Sequence, residues 1–411
     1  MEKQREIKTF DRSFIKVSLL FLGLVLLICF FPKWFTQGVS GLVFNTQTGA
    51  IGDTIGGTMG PFIAILAAAL TFFAFWVQFK ANELQKFEIK DQKALYAAER
   101  VETRFLEMVK FCRENLSEMK YEKYSETQKK VIPHEGRRVP ILIFREFTIC
   151  LEDIDFLFWS ENLDYYLKPN YRLELQEIVD RNNIKASMLS MIKIDIAYAI
   201  TYFGVGKEGR ISIEHNFKEK YQGNFFGQLL DFISRKPKME DLVNSKRWQD
   251  IAKRIKFNQK DLVGLDKGQV FRAITSDIDE KIEYLKSINP YYKYYGGHQH
   301  RLGHYFRHLF HSYVFLDSRK EVSNEDKYLL SKLLRSQLST YEQALILINS
   351  ISSLGMAWEY IPKAELQVEN SYSKGKLIST YNVITNLPGE HLNGIKYNQF
   401  YPLVAFEFTK T

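Results

Sequence analysis

The sequence predicts a mainly α-helical protein: two N-terminal transmembrane helices, then a helical cytoplasmic domain with a few C-terminal strands. Three observations support this fold class. Two long apolar segments lie within the first 80 residues, residues 80–120 favour helix and lack proline and glycine, and apolar residues recur at helical spacing over 141–159 and 184–203. The β-branched and aromatic stretches 377–384 and 401–408 predict the strands.

The composition is that of a folded protein with a basic charge balance. The chain has 411 residues, of which 45% are hydrophobic and 15% aromatic, and this content argues against disorder. The net charge of +8 favours an anionic partner such as RNA or a lipid surface. Three scattered cysteines, Cys29, Cys112 and Cys150, exclude a disulfide framework or a zinc finger and fit a reducing compartment.

The two apolar segments have the length that a membrane span requires. We expect the spans at residues 14–35 and 59–79, and the second contains no charged residue. Basic residues precede the first span and follow the second, whereas the stretch between them carries only Lys33 as a basic residue. Both termini are therefore expected in the cytoplasm. A cleaved signal peptide and a pair of buried core helices are the alternatives, which the absence of an A-x-A site and the charge asymmetry disfavour.

These spans divide the chain into five segments. They are a cytoplasmic N-terminus at 1–13, spans at 14–35 and 59–79, an extracytoplasmic Gly/Thr-rich loop at 36–58, and a cytoplasmic helical domain at 80–411.

Within the cytoplasmic domain, two further features can be read from the sequence. Pro133, Gly136 and Pro140 predict a basic linker, and Ser323, with Asp326 three residues later, predicts the start of a long helix over 323–354. The pattern of residues 212–267 is less regular and indicates only short helices and loops, to which we assign no role.

Small residues recur every four positions through the start of the second span. The members of this stripe are Gly56, Gly60, Ala64 and Ala68. On a helix they form one flat face that lets helix backbones approach closely, so they are candidates for membrane packing in a homo-oligomer or between the two spans. The alternative is that the glycines before the span form a flexible loop.

Five of the eight histidines lie between His298 and His311, and their spacing is helical. If residues 301–315 form a helix, Arg301, His304, His308 and His311 fall within a sector of about 80°, beside an apolar stripe. One side of this helix is therefore core, and its shoulder is basic. We take as candidate binding residues His298, His311, Arg307 and, from the tyrosine-rich turn before the helix, Tyr294.

Three kinds of chemistry fit these histidines. Arg301 and His308 lie about 20° apart on a helix and match the loose Arg-x(4 to 6)-His pattern of HEPN-type ribonucleases, with His304 as a third candidate catalytic residue. Alternatively, Arg301 and His308 make structural hydrogen bonds, one candidate partner being Glu342. Metal ligation by His304 and His308 would need ligands from elsewhere, because no carboxylate occurs between positions 298 and 316. We expect no metal and no cofactor, since phosphate-loop and dinucleotide-binding motifs are absent.

Several short motifs carry a resemblance to a known family. They are Gly60-Pro61 at the second span, Phe75-x-x-Gln78-x-x-x-Asn82, Gly297-His298, Arg301-Leu-Gly-His-Tyr-Phe-Arg-His308, and Leu338-Ser-x-Tyr-Glu342 with Asn349. With them, residues 40–360 resemble the phage abortive infection (AbiC-like) family of bacteria. The resemblance implies antiviral defence from the bacterial inner membrane, with two spans and a helical cytoplasmic domain. It implies no known reaction and carries over no catalytic residues.

Two functional hypotheses follow. The first is an antiphage defence protein anchored in the inner membrane by two spans, whose cytoplasmic domain senses a phage-derived trigger and whose membrane segments act as effector or anchor. The second is a membrane-tethered, metal-independent ribonuclease that uses Arg301 and His308 on RNA. We favour the first, because the spans are the clearest functional signal in the sequence. Its expected partners are the lipid bilayer and further copies of the chain.

Overall fold

The computed structural model describes residues 48–125, 127–238, 240–258, 293–360 and 375–407, and a few positions within 16–30. These residues form α-helices and two small antiparallel hairpins, so the mainly helical fold class is confirmed. The chain divides into two compact units, Met1–Lys93 and Ala94–Thr411. The helix runs without a break past Lys80, where the sequence placed the start of the cytoplasmic domain, because residues 62–117 contain no proline or glycine.

Helix α1, Thr48–Ser117, provides most of the described residues of the first unit. From Gly60 it is long and apolar enough to cross a membrane, with a mean hydropathy of 2.1 over its most apolar window. The helix includes residues 48–58, which the sequence assigned to the loop. The glycines in this part lower helix stability, and together with the alanines that follow they recur every four residues. Most of the predicted first span, 14–35, and residues 36–47 lie outside the described residues.

In the second unit, a hairpin of β1, Lys120–Ser125, and β2, Lys130–Glu135, precedes helix α2, Arg138–Asp155. The predicted basic linker is therefore wrong. Pro133 lies within β2, which a two-stranded hairpin tolerates because each strand has a free edge. Gly136, with a φ of +58°, makes the turn into α2, and Pro140 stands in its first helical turn, where no amide donor is needed.

The remaining described elements follow in chain order. They are α3 Pro169–Asn182, α4 Met188–Phe203, α5 Lys207–Phe217, α6 Gly223–Ser234, α7 Leu242–Asn258, α8 Gln299–Ser318, α9 Asn324–Gln337, α10 Thr340–Ile351, α11 Leu377–Tyr381, β3 His391–Leu392, β4 Ile395–Lys396 and α12 Tyr397–Phe400, with 3₁₀ turns at Leu163–Tyr165 and Met356–Trp358.

The core of the second unit is built on three helices, α2, α4 and α10, which pack against one another. Every residue of α10 from Glu342 to Ile351 is buried, and so are the residues of α4 from Ile194 to Thr201. Helices that are buried on all sides lack the narrow apolar stripe of surface helices. Helix α8 instead buries one stripe against this core, as its sequence predicted, and leaves its histidine shoulder in solvent.

The long helix predicted over 323–354 is two helices. Ser339 caps α10 through its hydroxyl, and the Glu342 side chain returns a bond to the Ser339 amide, so a complete capping box starts a new helix after α9. The start of the first helix at Ser323 is confirmed, since the Ser323 hydroxyl accepts from the Asp326 amide.

The C-terminal strands lie elsewhere than predicted. Leu377–Tyr381 is a short helix, and residues 401–406 form no strand; the one described C-terminal hairpin joins β3 and β4 between them. Lys376 and Asn382 at either end of α11 are both left-handed, which closes the segment into one turn that buries Leu377, Ile378 and Tyr381. Packing thus overrides the β-propensity of these side chains.

Candidate polar site at the start of the histidine helix

Helix α8 begins where two backbone segments lie in close contact. Gly204 and Gly297 both have positive φ, +78° and +85°. A Cβ on Gly297 would lie 2.4 Å from the carbonyl oxygen of Phe203, so only glycine fits there. The His298 amide donates to the carbonyl of Tyr202 at 2.8 Å. The Gly297-His298 motif therefore fixes the start of α8 against the end of α4.

His298 lies at the centre of a buried polar cluster. Its side chain is only 2% exposed, and its Nδ1 lies 3.2 Å from Nη1 of Arg301. A guanidinium can only donate, so Nδ1 accepts and Nε2 carries a ring proton. Nε2 is 3.3 Å from Oε2 of Glu146, but it is poorly aligned and has no hydrogen-bond partner within the described part of the chain.

Glu146 belongs to the buried face of α2 and is 2% exposed. Its Oε2 accepts a hydrogen bond of 2.7 Å from the Tyr121 hydroxyl of β1. Burial alone would raise the pKa of Glu146, but His298, the Tyr121 hydroxyl and Lys123 outweigh it and hold the pKa below its usual value. The cluster therefore contains an ionised carboxylate at neutral pH. Burial, reinforced by Glu146, raises the pKa of Tyr121, which stays protonated.

Arg301 ties the start of α8 to the hairpin. Its Nε donates to the carbonyl of Lys120 at 2.6 Å, and its guanidinium lies 4.9 Å from the centre of the Tyr121 ring. Burial lowers the pKa of Arg301, while Tyr121 and Glu146 act in the opposite direction. These contacts favour the structural interpretation of Arg301, although its partners are Lys120 and His298 and not Glu342.

A cavity of about 300 Å³ adjoins this cluster, between β1 and residues 293–301. We call it the hairpin cavity. Glu146, His298 and Arg301 contribute to its wall, together with the half-buried lysines Lys123 and Lys293. Its volume is at the lower end of the range of about 300–1,000 Å³ that small-molecule sites occupy.

A second, more polar cavity of about 640 Å³ shares the backbone of Gly296 and Gly297 and the side chain of His300 with the first. It also brings together two of the predicted residues, His304 and Arg307, with Lys207 at the start of α5. All three side chains are exposed. The basic shoulder predicted from the sequence therefore faces this cavity in part.

Two other predicted residues, His308 and His311, line neither of these two cavities. His308 and His311 are exposed on α8, and the His311 ring lies against Phe310 with 5.7 Å between ring centres. In the described ranges, no group of three or more His, Cys, Asp and Glu side chains is placed to hold a metal ion. A catalytic role for Arg301 and His308 stays a hypothesis, with one side chain engaged by β1 and the other in solvent.

Tyr294 lies on the wall of the hairpin cavity. Its ring is half-buried, with the ammonium of Lys236 at 3.9 Å from the ring centre. Lys236 in turn pairs with Asp153 of α2 at 2.5 Å, and the Tyr295 hydroxyl donates to the same carboxylate. These contacts anchor the tyrosine turn on α2, so part of its aromatic surface is structural.

The remaining motif residues hold α8 and α10 in the core. The Tyr305 hydroxyl donates to Oε1 of Glu342 at 2.5 Å, and Oε2 of Glu342 accepts from the amide and hydroxyl of Ser339. Asn349 donates to the Tyr198 hydroxyl of α4 at 2.9 Å. The motif segments of the two helices therefore meet through the buried carboxylate of Glu342, both of whose oxygens accept hydrogen bonds.

Comparison with protein-family models gives a match over residues 297–366, to the family described as "putative phage abortive infection protein". This segment is AbiC-like. The resemblance carried by the sequence motifs is confirmed for it. No curated protein and no solved structure gave a significant match to the chain.

The AbiC-like segment supplies only half of the buried cluster. His298 and Arg301 belong to it, whereas Tyr121 and Glu146 come from β1 and α2. Sequence analysis missed both of these residues. Glu146 had a signal, because it follows Ile143 and precedes Cys150 on an apolar helix face, where an unpaired carboxylate would be costly. No such signal marked Tyr121, because its hydrogen-bond partner Glu146 is 25 residues away and the hairpin was not predicted.

Proposed function

We propose that the chain is a membrane-anchored antiphage protein of the abortive infection type. The AbiC-like segment at residues 297–366 is the observation that carries this proposal. The segment is integrated into the core of the second unit, since Leu302, Leu309 and Leu316 of α8 and Leu345 of α10 are fully buried there. The described unit as a whole, and not a detachable peptide, is therefore expected to act in defence.

The exposed surface of α1 supports anchoring in the membrane. Phe72 and Phe75 are more than 70% exposed, and none of the most apolar window is buried in the structure. In water such a surface would be costly, whereas in lipid it is favourable. The one hydroxyl of this stretch, on Thr71, donates to the carbonyl of Ala67 at 2.8 Å, as a helix in lipid requires.

The finer assignment rests on the sequence. We propose two spans, at residues 14–35 and 59–79, in the inner membrane of a bacterium, with both termini in the cytoplasm because basic residues flank the pair on one side. In this arrangement the cytoplasmic domain senses a phage-derived trigger, and the spans act as anchor or effector. The ion pair of Lys80 and Glu83, 2.7 Å apart, is consistent with a polar boundary after residue 79.

We also propose that the spans associate between copies of the chain. A Cβ built on Gly56 or Gly60 would have no neighbour within 4 Å, and Ala64 and Ala68 are exposed. Among the described residues nothing covers the small-residue face, which leaves it accessible to a second helix.

The test is a pair of leucine substitutions in bacteria that carry the full chain. Leu70 and Leu84 are both 43% exposed on α1, the first in the middle of the proposed span and the second beyond its end. We expect Leu70→Arg to reduce the share of the chain in the membrane fraction and to lose protection against phage, because arginine in the middle of the second span costs about 3 kcal/mol of insertion free energy. Leu84→Arg is the matched control and should keep both properties.

The two parts of the proposal fail separately. Equal plating of phage on cells with the wild-type chain and with empty vector would remove the antiphage role. Wild-type protein in the soluble fraction, with protection intact, would remove the anchoring but leave the defence role standing.

A further inference from the structure

We propose that the hairpin cavity binds a small phosphate-bearing ligand, held by Lys123, Lys293, Arg301 and the Nε2–H of His298. All four side chains line this one cavity of about 300 Å³. The inference deepens the sensing role proposed above, because it gives the cytoplasmic domain a ligand. It is tested on the purified chain without phage, so its outcome is independent of the protection assay.

The first step is the unused donor of His298. The side chain is only 2% exposed, and its Nε2 lies 3.3 Å from Oε2 of Glu146 but makes no aligned hydrogen bond within the described residues. Buried polar atoms in folded proteins are nearly always hydrogen-bonded, and an exception calls for a ligand, an ion or a water. Because Nδ1 accepts from Arg301, the unused atom carries the proton and is a donor. It therefore suits an anion or a neutral oxygen and excludes a cation.

The second step is the excess of cations over carboxylates in the inner wall of the cavity, where Lys123, Lys293 and Arg301 face the single ionised carboxylate of Glu146. Lys123 and Lys293 are half-buried, and neither makes an ion pair or hydrogen bond with another described residue. Burial lowers the pKa of both lysines; Arg145 and Lys236 lower that of Lys123 further, against the opposing effect of Glu146, and Arg235 lowers that of Lys293. An anion in the cavity would relieve this crowding of like charges.

Arg301 adds donors with a fixed direction. Its Nε and Nη1 are bound to Lys120, Gly297 and His298, while its Nη2 makes no hydrogen bond to the described residues. A guanidinium fixed on one side is a rigid donor for a phosphate oxygen on the other. A carboxylate would also be attracted here, but the three cations exceed the one buried carboxylate of the wall, Glu146, by two charges, which matches a phosphate better than a singly charged carboxylate.

The rim of the cavity selects a small ligand over a nucleic acid. Glu122 and Glu240 line its exposed edge. These carboxylates repel an extended polyanion, yet they accept hydrogen bonds from hydroxyl groups such as those of a sugar. Tyr124 and Tyr294 supply aromatic wall for an organic group attached to the phosphate.

The experiment is isothermal titration calorimetry on the full-length chain in detergent, with pyrophosphate and adenosine 5′-monophosphate as probes. We expect at least one probe to bind the wild-type chain. The double variant Lys123→Gln/Lys293→Gln should bind it at least about a hundredfold more weakly, roughly tenfold for each ammonium group removed. The matched control is Lys130→Gln, an exposed lysine on the other strand of the hairpin, which should bind as the wild type does.

The melting temperature of each variant shows whether it is folded. If the glutamine variant is unfolded, Lys123→Arg/Lys293→Arg replaces it; this variant keeps the charges and should keep binding within about tenfold. No heat with either probe at millimolar concentration overturns the proposal, and so does equal affinity of wild type and folded glutamine variant. Binding of a single-stranded RNA dodecamer without binding of either small probe also overturns it, because the site would then recognise a polymer.

Discussion

Two stretches of about twenty residues, 60–79 in α1 and Gln299–Ser318 in α8, are both rich in large apolar side chains but have opposite environments. In α8 the apolar residues form a stripe, and Leu302, Leu309 and Tyr313 on it are completely buried. In α1 the apolar residues surround the helix, and Phe62, Ile65 and Phe72 are each more than 60% exposed. The first pattern is that of a helix with a protein core on one side and water on the other. The second is the pattern of a helix whose whole surface is apolar, as in a membrane span or the core of a large protein.

The difference teaches that apolar content alone says little about where a helix lies, whereas its distribution around the axis says a great deal. Histidines and arginines occupy the free side of α8, so that surface is compatible with water. Residues 60–79 offer no polar side apart from Thr71 and Gln78, and the Thr71 hydroxyl is turned back onto its own helix. Substitutions in the buried stripe of α8, in the polar cluster at its start and on the exposed face of α1 test this comparison.

The largest effect is expected from Tyr305→Ala in α8. Its side chain is 2% exposed and its hydroxyl donates to the buried Glu342, so truncation leaves a cavity and an incompletely satisfied carboxylate. The free energy of unfolding of the purified chain in detergent should fall by about 3–5 kcal/mol. Tyr305→Phe, which keeps the volume, should cost only about 1–3 kcal/mol. A loss below about 1 kcal/mol for the alanine variant would mean that α8 is not part of the core.

An intermediate effect is expected from Glu146→Gln, which tests the cluster at the start of α8. The folded state holds the pKa of Glu146 below its unfolded value, so the ionised carboxylate stabilises the fold above the unfolded pKa of about 4.3. This contribution is lost as pH falls through the lower, folded-state value. Wild type should therefore be about 1–3 kcal/mol more stable than the variant at pH 7.

The measurement is unfolding of both chains between pH 7 and pH 3. The stability difference should stay constant down to about pH 4.5 and shrink below it, since protonation then removes the charge from the wild-type side chain. A difference that is the same at every pH would show that the charge of Glu146 is not what stabilises the cluster.

The smallest effect on stability is expected from Ala64→Ile in α1. The Ala64 side chain is exposed, so added volume meets none of the described residues, and the free energy of unfolding should change by less than about 0.5 kcal/mol. Chemical crosslinking in membranes should nevertheless lose its dimer band, because the larger side chain separates two packed helices. Ala69→Ile, an exposed alanine off the small-residue stripe, is the control and should keep the band. Crosslinks that persist in Ala64→Ile would remove this face from the contact.

The outline of the fold could be read from local patterns. The apolar stripe of α8, the end of α4 at Phe203 and the N-cap at Ser323 all depend on residues within one or two helical turns, and each is found where the sequence predicted it. The strands at 377–384 were wrong because Leu377 and Ile378 are buried in a one-turn helix, a choice made by packing and not by propensity. The break at Ser339 had a local signal, the Ser-x-x-Glu of the capping box.

The features of the candidate site can likewise be divided into those read from the sequence and those decided by tertiary packing. Composition and spacing alone determined that the histidine helix has a basic shoulder and that residues 59–79 are long and apolar enough to span a membrane, while motif resemblance marked the segment from Gly297 as AbiC-like. Only the tertiary structure decided that His298 is buried, that Arg301 bonds to Lys120, and that Glu146 of α2 lies beside both. The physical reason is the distance along the sequence between the residues that interact. Helical periodicity follows from neighbours three or four residues apart, whereas His298 and Arg301 are more than 100 residues from Glu146 and Lys120 and meet them only when the hairpin, α2 and α8 have packed.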